Sequence, residues 1–165
     1  GPGKKFFEVL RKEFGELPFI AEDLGFLTPE VHNLRNILGF PGMRVYEFEA
    51  ASLKNGKNGE EELMDTIYYS GTHDNDTLFG WYLNNQKKNS SRKHPLNKIL
   101  ERIYQSSAPW VIIPLQDILG LGSEARMNTP GTIGGNWMWR MQEQDLTEGK
   151  KEWLKDMTVK SGRGV

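Results

Sequence analysis

The run Thr66-Ile67-Tyr68-Tyr69-Ser70-Gly71-Thr72-His73-Asp74-Asn75-Asp76 decides how the rest of the chain is read. Its first part is β-branched and aromatic, the composition of a short strand, and at Gly71 it turns into polar and acidic residues. Three other stretches repeat that plan. Residues 17–21 are an apolar run of strand length that stops at Glu22-Asp23. Residues 43–48 follow a Pro41-Gly42 turn, and residues 110–115 end at Gln116-Asp117.

Helical patterns lie between these runs. Phe6, Phe7, Leu10 and Phe14 recur at helical spacing over 4–14, and Gly15 closes that segment. Thr28-Pro29-Glu30 opens a second helix, with Thr as N-cap and Pro at the first helical position, and Gly39 ends it. A further helix is expected after Thr77. Another over 95–106 places Leu96, Ile99, Leu100 and Ile103 on one face, and a last one spans 146–157. Residues 54–62 read as a polar surface loop leading into a short helix, and 120–139 as a Gly-rich loop. Four strands alternating with helices, each ending in polar residues, predict an α/β fold with a parallel sheet. Its working face should lie at the C-terminal ends of the strands.

The composition narrows the function classes. With 165 residues there is enough chain for one domain with a core, but less than the roughly 200 a complete eight-fold α/β barrel needs. The net charge of −1 gives no basic surplus for nucleic acid or an anionic membrane. Lys87, Lys88, Arg92, Lys93 and His94 gather in a Ser- and Asn-rich stretch that reads as solvated loop. Cysteine is absent, so disulfides and thiolate metal sites are excluded, and a reducing, cytoplasmic setting is expected. No apolar run approaches the ~18 residues of a membrane helix, and no signal-peptide core is found.

Two of the expected strands end in carboxylates, Glu22 and Asp74. Alternation puts Ile20 and Glu22 on one face, and Ser70, Thr72 and Asp74 on another. Where both faces point into one mouth, the two carboxylates converge, as glycosidic chemistry requires: one acid protonates the leaving oxygen while another stabilises or attacks the sugar cation. The apolar residues before Glu22 predict a sheltered carboxyl suited to act as an acid. The alternative is that both are loop or N-cap carboxylates of an ordinary α/β domain. His73, Asp74 and Asp76 also suit a divalent metal, and with it a metal-dependent hydrolase. Gly120-Leu121-Gly122 mimics a dinucleotide fingerprint but lies five residues past its strand, and reads better as a turn. Asn89-Ser90-Ser91 matches a glycosylation sequon without an export signal. Trp137 and Trp139, near Asn128, Asn136 and Arg140, form a candidate glycan-contacting wall, with aromatic faces for sugar rings and polar donors for hydroxyls. Sealing the rim or the core is an equal reading of the tryptophans.

Six blocks carry a resemblance. They are Ile20-Ala21-Glu22-Asp23-Leu24-Gly25, Thr28-Pro29-Glu30-Val31, Gly39-Phe40-Pro41-Gly42-Met43, Gly71-Thr72-His73-Asp74-Asn75-Asp76-Thr77, Ile113-Pro114-Leu115-Gln116-Asp117, and Ala125-Arg126-Met127-Asn128 through Pro130-Gly131 to Gly135-Asn136-Trp137. In this order they resemble the amylomaltase family of 4-α-glucanotransferases. Gly1-Pro2-Gly3 and Phe6-Phe7 resemble the family segment before Glu22. The resemblance implies a (β/α)8 barrel of which residues 1–165 are the C-terminal half, strands five to eight. It implies transfer of α-1,4-glucan segments between maltooligosaccharides by a retaining double displacement, without metal or organic cofactor.

Position by position, the resemblance makes Glu22 the acid/base and Asp74 the transition-state stabiliser. His73, Asn128 and Trp137 become substrate-binding residues. The family's nucleophile, an aspartate in an Arg-x-Asp-His setting, has no match here, and the expectation is a chain truncated upstream of it. Such a half barrel should be inactive alone and should self-associate through its exposed edges. Between Glu47 and Asp65 a Lys-, Gly- and Glu-rich stretch replaces the family's Asn-, Pro- and His-containing acceptor segment. A non-catalytic glucan-binding half barrel is the alternative to the enzyme.

Overall fold

Residues 1–54, 65–85 and 96–164 are described in the computed structural model of the chain. The predicted loop at 54–62 past its first residue, the basic cluster from Lys87 to His94 and the Asn89 sequon lie outside them. Helices α1 (Lys4–Phe14) and α2 (Pro29–Leu38) fall on the predicted segments. Gly39 ends α2 in the left-handed conformation at φ 67°, and its N–H returns to the carbonyls of Arg35 and Asn36. A residue with a Cβ would be strained there.

Three parallel strands make one sheet among the described residues, in the order β1 (Gly42–Val45), β2 (Thr66–Tyr69), β3 (Trp110–Ile112). This corrects the count of four. Residues 17–21 carry no strand assignment. Pro18 has no N–H to offer a ladder, the N–H of Phe19 bonds back to the carbonyl of Leu17 at 2.9 Å, and one bond, from Ala21 N–H to Pro41 O at 2.9 Å, reaches the neighbouring chain. The other expected strands are also shorter than predicted. After Val45 the chain coils into α3 (Tyr46–Lys54), whose first turn carries Glu47 and Glu49. Acidic residues suit a helix N-terminus, where unpaired N–H groups and the helix dipole favour negative charge. After Ile112 the chain passes through Pro114 into α6 (Leu115–Leu119), so Gln116 and Asp117 are buried helix residues rather than the exposed end of a strand.

The register shows what each face of the sheet does. Met43, Ile67 and Trp110 are level, as are Val45, Tyr69 and Ile112, and side-chain alternation puts these two rows on one face. Arg44, Tyr68 and Val111 form the row on the other. The core is built on that second face, where Tyr68 packs with residues from α4 (Leu78–Asn85), α5 (Leu96–Tyr104) and α6. Leu96, Ile99, Leu100 and Ile103 are all buried there, as the helical spacing predicted. Trp153 and Leu154 of α7 (Glu148–Lys160) close over the cluster. The tyrosine hydroxyl of Tyr68 donates to Glu49, which also pairs with Arg102 at 3.1 Å and Arg44 at 3.7 Å. Desolvation, reinforced by that carboxylate, holds the Tyr68 phenol far above its ordinary range.

The first face is buried at its centre, where Ile67 is 0% and Val45 2% exposed, and opens among the described residues toward β3, with Trp110 60% and Ile112 42% exposed. That face and the strand C-termini carry the site.

Candidate functional site

Glu22 is positioned by its neighbours on both sides. Phe19 packs edge-on against Phe40 at 5.5 Å and Phe7 at 6.4 Å, while Phe7 and Phe40 meet at 5.3 Å. This aromatic cluster ties α1, residues 17–24 and the approach to β1 together. Asp23 then takes the backbone N–H of Met43 at 2.7 Å and pairs with Arg35 of α2. Gly42 is required beside that pair, since a Cβ there would run into both Arg35 and Asp23. With Ala21 and Asp23 both pinned to the start of β1, Glu22 projects at the edge of the strand C-termini. It is exposed, and Phe19 and Ile20 before it are 41% and 43% exposed, so the apolar shelter expected from sequence is absent.

Asp74 sits on the turn after β2. Asn75 N–H bonds to Thr72 O at 3.2 Å, and Asp74 N–H donates to Thr72 Oγ1 at 3.3 Å. Asn128 Nδ2 donates to Asp74 Oδ1 at 2.5 Å, and His73 Nε2 lies 3.4 Å from the same oxygen. Asn128 N–H bonds to His73 O at 3.1 Å, which docks the loop after α6 against this turn. The ring of Trp137 lies 5.2 Å from the His73 ring at a 36° tilt. Trp137 N–H bonds to Met127 O at 2.6 Å, and its φ is 63°, the one left-handed non-glycine among the described residues. A bulky residue held there points to a constraint imposed by its surroundings.

Glu22, His73 and Asp74 line one open cavity of about 620 Å³, which Met43, Tyr69 and Ile112 of the first sheet face also line. Asn128 joins it through Asp74, and Trp137 through His73. A cavity of this size, lined by apolar side chains and a few polar groups, suits a small organic ligand. Trp139 is half-buried, consistent with sealing the loop. Asn136 and Arg140, expected as sugar donors, hold the loop instead. Asn136 accepts from Thr129 N–H at 3.0 Å and donates to Thr132, while Arg140 Nη1 donates to the carbonyls of Trp137 and Trp139 at 2.8 and 2.7 Å.

The metal reading finds no support in the geometry. Asp76 accepts from Ser123 Oγ at 2.7 Å and from Asn84 Nδ2 at 3.3 Å, beside α4 rather than beside Asp74. Among the described residues, no three His, Asp or Glu side chains gather around a point. The Gly120–Gly122 run forms the left-handed cap of α6 and leads into a short 3-10 turn, Ser123–Ala125, so it is the turn the sequence suggested.

Three further residues shape the site that sequence reasoning did not single out. Arg126 clamps it, with Nη2 on Asp74 O at 2.6 Å and Nε on Asn128 O at 2.8 Å. Asp117, 2% exposed, accepts from Ser70 Oγ at 2.5 Å and from Leu78 N–H at 2.7 Å, tying the end of β2 to the start of α4. Burial holds its carboxyl above the usual carboxylate range, against the lowering effect of those two bonds. Glu47 lies under the turn, 6% exposed, and burial together with Asp117 and Asp76 pushes it up to about 8. Arg126 and Asp117 were visible in sequence only as parts of motifs, and Glu47 only as a charge in an expected strand.

Comparison with known proteins gives the same picture. The 4-alpha-glucanotransferase family model matches residues 1–147. The chain is 40% identical to the 4-alpha-glucanotransferase of Streptococcus pneumoniae, across 96% of this chain and 34% of that protein. It is 39% identical to the chloroplastic/amyloplastic 4-alpha-glucanotransferase DPE1 of Arabidopsis thaliana, across 99% of this chain and 31% of that one. Among solved structures, the amylomaltase from Streptococcus agalactiae in complex with acarbose superposes with a TM-score of 0.85 at 32% identity, covering all of this chain and 36% of its own. The chain thus spans about a third of the length of the relatives it matches. A family match that runs through both sides of the cavity, on a fold shared with a solved amylomaltase, settles that the chain belongs to the 4-alpha-glucanotransferase family.

Proposed function

We propose that these residues serve the transfer of α-1,4-glucan segments between maltooligosaccharides by a retaining mechanism. The observation that carries this reading is the shared cavity: Glu22 and Asp74 open onto one space from different loops, with His73 between Asp74 and Trp137. In the proposal Glu22 protonates the leaving glycosidic oxygen and later takes the proton of the acceptor hydroxyl, and its exposure suits both exchanges. Asp74, whose Oδ1 is held by Asn128, uses its carboxylate to grip sugar hydroxyls more tightly as the oxocarbenium ion forms. Trp137, half-exposed against His73, supplies a face for a sugar ring. A cytoplasmic location belongs to the same proposal. The aspartate nucleophile implied by the family resemblance has no match in these 165 residues, so the roles assigned here are acid/base, stabiliser and binding.

We also propose that the described sheet is part of a barrel wall, corresponding to the second half of a (β/α)8 barrel. The outer edges of β1 and β3 have no strand partner among the described residues, and Trp110 and Ile112 of β3 stand exposed. Such edges and apolar surface support self-association of this chain, to be read by analytical ultracentrifugation.

A hybrid enzyme tests the function, with this chain replacing the matching third of the Streptococcus pneumoniae relative and maltotriose as substrate. The expected result is release of glucose together with longer glucans. Glu22→Gln should lower the rate by about 10²-fold or more, the usual range for a positioned acid/base. A hybrid whose rate is unaffected by both Glu22→Gln and Asp74→Asn would sink the assignment. The chain alone is expected to give no turnover, and robust turnover would show that an Arg-x-Asp-His aspartate is dispensable.

A further inference from the structure

The turn that carries His73 and Asp74 rests on a side chain to which the roles above give no part. Glu47, in the first turn of α3, is 6% exposed. Its Oε2 accepts from Asn75 Nδ2 at 3.3 Å, while its Oε1 is buried with no hydrogen-bond partner among the described residues. Asn75 in turn accepts at Oδ1 from both the N–H and the hydroxyl of Thr72, at 2.9 and 2.7 Å. Its side-chain amide therefore has one workable orientation, with the oxygen on Thr72 and the nitrogen on Glu47. Thr72 Oγ1 passes the constraint on by accepting Asp74 N–H at 3.3 Å.

We propose that Glu47 is a positioning residue for the family's reaction, holding through Asn75 the turn that presents His73 and Asp74 to the cavity. The proposal rests on the role given to Asp74 above. Four groups face Glu47 from the elements around it. Asp117 comes from α6, Asp76 from the run before α4, Arg126 from the loop after α6, and Asn75 from the turn itself. Burial is the largest influence and the two acids add to it, so the carboxyl is pushed up to about 8, and it is neutral at pH 7. A neutral carboxyl accepts the Asn75 bond without adding a third negative charge beside Asp76 and Asp117. Once ionised, it repels both acids and attracts Arg126, the side chain that clamps the carbonyls of Asp74 and Asn128. The network that orients Asp74 and the network that senses Glu47 thus share Asn75 on one side and Arg126 on the other.

The test follows the side-chain amide resonances of Asn75 and Asn128 by ¹⁵N NMR from pH 6 to 10. The samples are the wild-type chain, Glu47→Gln, Glu47→Ala and Asp74→Asn. In the wild type both resonances should move with a common midpoint of about 8, the value burial gives Glu47. In Glu47→Gln, which keeps the acceptor and cannot ionise, both should stay near the wild-type low-pH positions throughout. Glu47→Ala should displace both at every pH; if it does not fold, Glu47→Gln carries the test alone. An Asn128 resonance that stays still while Asn75 titrates would overturn the proposal, as would a titration that persists in Glu47→Gln or no titration at all. Asp74→Asn should move Asn128 without shifting the midpoint at Asn75. A full rate for Asp74→Asn in the hybrid enzyme would instead defeat the role of Asp74, so the two failures are separable.

Discussion

Asp117 offers the sharpest quantitative test of how the site is held. It is 2% exposed, and its two oxygens serve two buried donors, Ser70 Oγ at 2.5 Å and the N–H of Leu78 at 2.7 Å. Leu78 opens α4, so its N–H has no partner within the helix. Asp117→Ala leaves that N–H buried and unsatisfied, at a cost of about 1–3 kcal/mol, and the Ser70 hydroxyl loses an acceptor worth about 1 kcal/mol. Removing a desolvated carboxylate offsets part of this, giving an expected net loss of about 2–3 kcal/mol. Asp117→Asn should behave differently. Its remaining oxygen still accepts from Leu78, and its amide can donate to Ser70, whose hydroxyl reverses its role, so the loss should be about 1 kcal/mol or less.

Urea unfolding at pH 7, followed by tryptophan fluorescence, measures these differences at constant m-value. The double variant Ser70→Ala, Asp117→Ala should lose less than the sum of the two single changes, because both remove one bond. Asp117→Ala within 0.5 kcal/mol of wild type, or Asp117→Asn as costly as Asp117→Ala, would refute the account of how β2 is tied to α4.

Two further outcomes can be measured on the same chain. Glu47 is raised from 4.5 to about 8, so between those values the folded chain keeps a proton that the unfolded chain releases. Its contribution to stability is fully present below about 4.5 and is lost as pH rises through about 8, by no more than about 5 kcal/mol at 1.36 kcal/mol per pH unit. Asp117, also raised, acts in the same direction, and Glu47→Gln should flatten most of the slope in a urea series from pH 5 to 9. At Trp137, with φ at 63°, Gly should be more stable than Ala by about 1 kcal/mol because Ala keeps the left-handed strain. Both variants should weaken maltooligosaccharide binding equally in calorimetry, by up to about tenfold, since both lose a ring contact worth about 0.5–1.5 kcal/mol. A Gly variant less stable than the Ala variant would show that the backbone there is not strained.

Particular residues show where sequence reading succeeded. The helix over 29–38 was legible to the residue because Thr28, Pro29 and Gly39 act through local backbone geometry. The face of α5 was legible because Leu96, Ile99, Leu100 and Ile103 repeat at the helical period. The strands were legible as apolar runs but not in length. The apolar residues Phe48 and Ile113 extended two of the runs, whereas Glu47 at a helix start and Pro114 before α6 end them. The run at 17–21 has strand composition and lacks a ladder, since composition does not say whether a neighbour's backbone lies within reach.

Local sequence by itself determined the helix caps, the amphipathic faces, the parallel α/β pattern and the motifs that carry Glu22, His73, Asp74, Asn128 and Trp137. Each depends on residues close together in the chain, or on a family pattern read as a string. Tertiary structure alone decided that Glu22 stands exposed while Glu47 and Asp117 are buried, that Arg140 and Asn136 hold their own loop, and that Arg126 clamps Asp74 across 52 positions of sequence. Burial and hydrogen-bond partnership arise from groups brought together by the folded sheet and its loops. A charge in an apolar run carries no mark of whether folding will surround it or leave it in water.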